Sequence, residues 1–240
     1  MKTRPSKPKT PKADMAPSTS TSTGTTPKRP EPAAIDMELK TQPLQERSRQ
    51  TYEAILAAAG QLLAEVGIEQ LSTNLVCKRA GLSPPALYRY FPNKYALLKE
   101  LGVRLMNLQD DAVFEWIEAG GLDAGTVEES FRRSLEIQER VNEITRREPG
   151  GLWIMRAMRA VPMMRQVRIE SRDRVADRVF RSLRKLYSEA SDADLRIATR
   201  LSTEVCYAAT EMVLEEPDAD ADRVTEELCW MVALYYAKFR

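Results

Sequence analysis

Histidine is missing from all 240 residues of this chain. That removes the commonest general base and the commonest metal ligand, and with them every Ser-His or Cys-His nucleophile. Cysteine is scarce. Cys77, Cys206 and Cys229 are widely spaced, with no C-x-x-C, which argues against a disulfide framework or zinc knuckle and leaves buried thiols as the default. No apolar run approaches the roughly 18 residues that a bilayer span requires. No segment alternates with the period of two that marks a strand, and no internal repeat occurs. G-x-G-x-x-G and Walker-type loops are absent, and the glycine pairs lie between helical segments. Adjacent carboxylates such as Glu128/Glu129 and Glu215/Glu216 fit a solvated helix surface better than acid–base chemistry. These absences speak against an enzyme and predict neither a metal nor a cofactor.

What remains is helix, with an uneven charge. The formal net charge is +1, yet residues 1–30 carry seven Lys or Arg against Asp14 alone, a net of +6 that leaves −5 for the remainder. Residues 1–43 are expected to be a disordered basic arm, rich in Pro, Ser and Thr and with little to bury. It reads either as a tether that adds salt-sensitive phosphate contacts or as a solubilising tail. No hydrophobic segment follows the basic start, so no secretory signal is expected, and cytoplasmic residence beside the nucleoid is.

The segment LSTNLVCKRAGLSPPALYRYFPNKYALL carries the function. It follows an amphipathic helix in which Ile55, Ala59, Leu62 and Val66 recur at helical spacing before the stop at Gly67. Ser72 or Thr73 can cap the next helix, and Gly81 supplies a turn that tolerates positive φ. Ser83 is expected to cap the second helix, which Pro84 and Pro85 open. Leu71, Val76, Ala80, Leu82 and Leu87 face inward, which turns Tyr88 and Arg89 outward. Lys94 then opens a further helix beside the phosphate track. Helix, tight turn, helix is the order in which the second helix enters the DNA major groove.

At these residues the chain resembles the tetracycline-repressor (TetR) family of regulators, through ILAAAGQLLAEVG, LSTNLVCKRAGLS and ALYRYFPNKYALL, with LYRYFPNK the most specific part. The resemblance implies an all-α homodimer: an N-terminal three-helix helix-turn-helix domain, here residues 44–96, and a C-terminal helical domain, residues 97–240, for ligand binding and dimerisation. It implies a double-stranded DNA operator as partner, and a small-molecule inducer. By position, Thr73, Asn74, Ser83, Pro84, Pro85, Ala86, Tyr88, Arg89, Tyr90 and Lys94 match DNA-contacting sites of the family. Departures stand at Cys77, Leu75, Pro85 and Ala86; the last lacks the hydroxyl common there.

Beyond residue 93 the pattern predicts helices over about 93–116, 126–147, 152–160, 163–188, 192–215 and 221–239. In the 163–188 helix, Val167, Val175, Val179, Leu183 and Leu186 are expected to face inward. Met106, Trp116, Trp153, Met158 and Tyr207 are candidate pocket residues, since methionine suits adaptable apolar sites, although methionines at helical spacing are equally ordinary core. Arg156, Arg159, Arg165, Arg168, Arg172 and Arg178 could meet an anionic head group or form a surface stripe. The inducer therefore reads as apolar or anionic. Leu201, Val205, Ala208, Met212, Leu228, Met231 and Tyr235, on the last two helices, are the expected dimer interface. The reading is a ligand-responsive repressor that binds an inverted repeat; the alternative is a helical module acting through protein partners rather than DNA.

Overall fold

The computed structural model describes residues 36–40, 45–216, 218 and 220–240. The expected disordered arm lies outside these residues except at 36–40. There the expectation is corrected: Met37 and Leu39 pack on the core, and Lys40 N–H donates to the Tyr90 carbonyl at 3.0 Å. Asn93 donates to the Asp36 carbonyl at 2.6 Å and Lys99 pairs with Glu38 at 2.6 Å, so polar contacts hold the segment as well.

Among the described residues every regular element is helical. Helix α1 spans Glu46–Gln70; the Ser48 hydroxyl and the Gln45 backbone bond reciprocally at its start. Its regular course ends at Gly67, where φ of 71° breaks the ladder, as the stop there predicts. Helix α2 spans Thr73–Ala80, with the Ser72 hydroxyl accepting from Leu75 N–H. Gly81 follows in the left-handed conformation at φ 66°, and Leu82 N–H closes the turn onto the Cys77 carbonyl at 2.9 Å. Helix α3 is short, Pro84–Tyr88. Helix α4, Lys94–Glu118, starts at Asn93, whose side chain accepts from Tyr95 and Ala96 N–H.

Helices α5 (Val127–Arg147) and α6 (Gly151–Ala160) precede a 3-10 turn at Pro162–Met164, and α7 spans Arg165–Leu186. The expected start of α7 at residue 163 is thus delayed by the turn that Pro162 opens. Leu186, expected inward, is exposed as the last residue of α7. The chain closes with α8 (Asp192–Glu215) and α9 (Ala221–Ala237). None of the described helices is long and apolar enough to cross a membrane.

The expected divide between residues 96 and 97 falls in the first turn of α4, and a single core crosses it. Ile55, Leu63, Leu87 and Phe91 from the helix-turn-helix side share that core with Met106, Met158 and Met164. A second cluster, including Phe180, Leu183, Leu195 and Tyr236, lies among α7, α8 and α9. Burial in these two cores, rather than local propensity, holds helices as short as α3 in place.

Candidate DNA-binding face and ligand cavity

The outer surface of α2 and α3 presents Asn74, Ser83, Pro84, Pro85, Tyr88 and Arg89 to solvent, with Thr73 and Ala86 half-buried beside them. The Tyr88 hydroxyl shares a 3.0 Å hydrogen bond with Thr73 Oγ1, which ties the start of α2 to the end of α3. Ser83 stands at the N-cap, but its hydroxyl makes no cap bond. Pro84 and Pro85 fill the first two helical positions and have no N–H to give, while Ala86 N–H donates to the Ser83 carbonyl at 3.0 Å. The hydroxyl is left free for another acceptor or donor.

One expected DNA contact, Tyr90, is corrected, and a second, Lys94, is engaged within the subunit. Tyr90 is only 2% exposed. Its hydroxyl donates to the Ser48 carbonyl at 3.3 Å, and its ring stands edge-on to Tyr52 at 5.6 Å. Because α3 ends at Tyr88, the chain bends at Arg89 and turns the next ring inward. The Lys94 ammonium is half-buried and donates to the Ile68 and Glu69 carbonyls at 3.3 and 3.5 Å. It secures the end of α1. Arg79, by contrast, is held by two bonds to Glu65 at 2.8 and 2.6 Å, and that pairing lowers the Glu65 carboxyl below its ordinary value.

A cavity of about 140 Å³ opens among α4, α5, α7, α8 and α9. Trp116 and Tyr207, two of the candidate pocket residues, line it. Met106, Met158 and Trp153 do not. The two methionines are fully buried in the core under α1 and α4, and Trp153 lies against Gly67 beneath the Arg156 guanidinium, 4.9 Å from the ring centre. Methionine fills irregular gaps at helix junctions as readily as it lines pockets, so its spacing could not separate the two.

Polar residues on the inner helix faces are the part of this site that hydrophobic patterning passed over. Gln138 donates to Thr210 Oγ1 at 2.8 Å, Thr210 to Asn142 Oδ1 at 2.8 Å, and Asn142 to Thr225 Oγ1 at 3.3 Å. The signal was available: glutamine and asparagine at core positions four residues apart.

Asp110 is buried, and burial raises its carboxyl above the usual range against the opposing pull of its hydrogen bonds. It accepts from Ser171 at 2.6 Å and from Arg174 at 2.6 and 3.1 Å. With the Ser171 proton committed to Asp110, Tyr207 must be the donor in its 2.6 Å bond to Ser171. Burial also pushes the thiols of Cys206 and Cys229, in the cavity wall, up to about 12, so both stay protonated at neutral pH.

None of the six arginines that could have met an anionic ligand lines the cavity. Arg156 pairs with Glu215 at 2.7 Å, Arg159 with Glu211 at 2.7 Å, Arg168 with Glu204 at 2.5 Å and Arg178 with Glu118 at 2.5 Å. Arg172 bonds both Asp173 and Glu204.

The outer side of α8 carries an unbroken apolar stripe, Ile197, Leu201, Val205, Ala208 and Met212, exposed at four- and three-residue spacing; Met231 and Leu234 on α9 are each 60% exposed. Of the other expected interface residues, Leu228 is buried at the base of the groove between α8 and α9 that Val205, Ala208, Met212 and Met231 also line, and Tyr235 is half-buried against the α7–α9 cluster.

Fold and face together define a helix-turn-helix protein with an all-helical C-terminal region enclosing a cavity. The model described as bacterial regulatory proteins, tetR family, matches residues 55–101, and the model of the tetracyclin repressor-like C-terminal domain matches residues 136–235. The chain belongs to the TetR family. It is 41% identical over 56 residues to the class C tetracycline repressor of Escherichia coli, covering 23% of this chain and 26% of the repressor. It is 42% identical over 60 residues to the regulator EthR of Mycobacterium tuberculosis, covering 25% and 28%. The matches therefore span about a quarter of those relatives' length. Among solved structures, a tetR-family regulator from Streptomyces coelicolor superposes with a TM-score of 0.61 at 16% identity over 80% of this chain and 82% of that one. A SmeT–triclosan complex does so with a TM-score of 0.56 at 19% identity over 78% and 91%. These likenesses show a shared fold.

Proposed function

We propose that the protein is a transcriptional repressor that binds an inverted-repeat operator as a homodimer and is released by a small molecule held in the cavity. The observation that carries this reading is the α2–turn–α3 unit, with Asn74, Ser83, Tyr88 and Arg89 on one exposed face and the rest of the unit fixed by the core. One helix of five residues offers too few contacts for specificity, so a second copy on an adjacent half-site supplies the remainder. The apolar stripe of α8 supports the pairing. Relatives named as tetracycline repressors support the repressing sense, and the SmeT–triclosan structure supports a small molecule in this fold. A cytoplasmic location follows from DNA as the partner.

Helix α4 supports the coupling. Its first turn is tied to the end of α1 through Lys94, and its later turns put Gln109, Asp110 and Trp116 in the cavity wall. A ligand that favours one tilt of α4 alters the separation of the two α3 helices, provided it binds that state better than the DNA-competent one. Selection from a pool of randomised duplexes tests the proposal. Enrichment of an inverted repeat is expected; recovery of duplexes no different from the starting pool overturns it and favours a protein-binding module.

A further inference from the structure

The cavity wall holds a buried hydrogen-bond acceptor that the protein leaves open, and a chain of donors identifies it. Thr225 gives its hydroxyl proton to the Ala221 carbonyl at 2.8 Å, so it can only accept from Asn142 Nδ2, at 3.3 Å. That turns Asn142 Oδ1 toward Thr210, whose only hydroxyl proton goes to it at 2.8 Å. Thr210 Oγ1 and Asn142 Oδ1 are then both acceptors for the Gln138 amide nitrogen, at 2.8 and 3.2 Å. With Gln138 Nε2 held on that side, Oε1 is left without a partner among the described residues.

Where that oxygen lies decides its use. Gln138 lines the cavity and is only 6% exposed. Gln109 Oε1 and Trp116 Nε1 also lack partners, but both are sealed within the packing. Gln138 Oε1 is not sealed, and on a side chain otherwise buried its open surface is cavity surface.

Ser134 stands one turn earlier on the same face of α5, where Ser130, Ser134, Ile137, Gln138 and Val141 all line the cavity at helical spacing. It is half-buried, and its hydroxyl makes no hydrogen bond among the described residues. Side chains four apart on a helix have Cβ atoms about 5–6 Å from each other. A head group carrying both a donor and an acceptor therefore bridges the pair, giving its proton to Gln138 Oε1 and accepting from Ser134 Oγ. Val113, Val175, Val179 and Val232 supply apolar wall for the rest of the ligand. Cavities of roughly 150 Å³ take up one benzene, and this one is about 140 Å³. The sole charged residue among the described lining is Asp110, held by Arg174, and no cation lines the wall to meet an anion.

Resting on the reading of this cavity as the inducer site, we propose that it takes an uncharged molecule of about one ring whose polar head gives a hydrogen bond to Gln138 Oε1 and accepts one from Ser134. The N–H or O–H donor is required, because a head that only accepts would leave the Gln138 oxygen covered and unpaired. A carboxylate is excluded twice over: it has no proton to give, and its charge would be buried without a cation. This departs from an apolar or anionic inducer: the ligand is neutral and a donor.

Benzamide, acetophenone and benzoate have nearly one shape and differ in that head, which is respectively donor and acceptor, acceptor alone, and anion. Calorimetric titration of the full chain without DNA is expected to show benzamide binding roughly tenfold or more tighter than benzoate, with acetophenone weaker than benzamide. Gln138→Met is expected to weaken benzamide about fivefold relative to acetophenone, the worth of one hydrogen bond. Ser134→Ala, which removes no bond within the subunit, is expected to weaken both neutral probes alike. Melting curves confirm that each variant folds. Benzoate binding as tightly as benzamide, no saturable binding of benzamide, or an unchanged benzamide-to-acetophenone ratio in folded Gln138→Met would overturn the proposal. The comparison of probes needs no variant, so it stands even if Gln138→Met prevents folding. Benzamide binding without any DNA selection would leave this inference standing and remove the regulator reading; DNA selection without benzamide binding would do the reverse.

Discussion

At the scale of single residues, four of the ten side chains named for DNA contact are held by bonds or burial within the subunit. Thr73 and Tyr88 bond each other, Lys94 holds the end of α1, and Tyr90 is core. Arg89 is the exposed cation of α3, its guanidinium carbon 5.8 Å from the Tyr90 ring centre. Arg89→Ala is expected to weaken binding to all duplexes and to lower the slope of log affinity against log salt by about one, the signature of a single phosphate contact. An unchanged slope in a fluorescence-anisotropy salt titration would assign Arg89 another role. Lys94→Ala should instead lower the melting temperature modestly, since a part-buried and an exposed carbonyl at the end of α1 lose their donor.

A second residue-scale consequence lies at Arg104, which grips Glu53 at 2.5 and 2.7 Å, lies over the Tyr52 ring at 5.4 Å and reaches Glu100. The hydrogen bond from Arg104 holds the Glu53 carboxyl below its ordinary value of 4.5. A lowered acid pKa stabilises the fold above the unfolded value, and that stability is lost as pH falls through the folded value. The pair is partly exposed, so the effect is screened. Glu53→Gln should cost about 1 kcal/mol or less at neutral pH, and the gap from the parent should close as the solution is acidified below 4.5. Urea unfolding at several pH values reads it; a gap that widens in acid would refute the pairing.

At the scale of elements, the helices were legible and their junctions were not. The glycine of the turn, the serine and asparagine caps, and the period of the apolar residues each have a local cause. They placed α1, α2, α4, α5, α8 and α9 within a few residues. Tyr90 and the methionines were misread because their fate depends on where α3 stops and which helix lies opposite, and neither is encoded within a turn of the residue itself. The cavity was half legible: Trp116 and Tyr207 stood out as large and aromatic, whereas Gln109 looked like any polar helix residue.

The junction of α1 and α6 shows how close such packing runs. Gly60 lies mid-α1 where a Cβ would stand 2.6 Å from the Pro149 carbonyl oxygen, and a Cβ on Gly150, at φ 77°, would stand equally close to the Gly60 carbonyl oxygen. In an isolated helix Gly→Ala stabilises by about 1 kcal/mol. Here Gly60→Ala is expected to destabilise by roughly 1–3 kcal/mol, the cost of overpacking. A stabilised variant in denaturant unfolding would mean that the α6 entry loop yields freely.

At the scale of the whole molecule, the proposed homodimer turns on which surface a second copy would cover. The stripe on α8 is too continuous to be incidental: Ile197, Leu201, Val205, Ala208 and Met212 span most of the helix while charged residues occupy its other outward positions. Leu201 and Leu228 separate the two accounts of the last helices. Leu201 is 51% exposed in the monomer and Leu228 only 4%. Leu201→Asp should leave the monomer's own stability within about 0.5 kcal/mol, as surface changes do, yet place an unpaired charge at the same patch of both subunits in a two-fold interface. Leu228→Asp should unfold the subunit outright, so a loss of DNA binding there would say nothing about dimers. The expected result for Leu201→Asp is a folded monomer in sedimentation, with affinity for a selected inverted repeat reduced roughly a hundredfold because the half-sites are no longer linked. Affinity for a single half-site should be unchanged. A Leu201→Asp protein that remains dimeric would place the interface away from α8, and the stripe would then belong to a different partner.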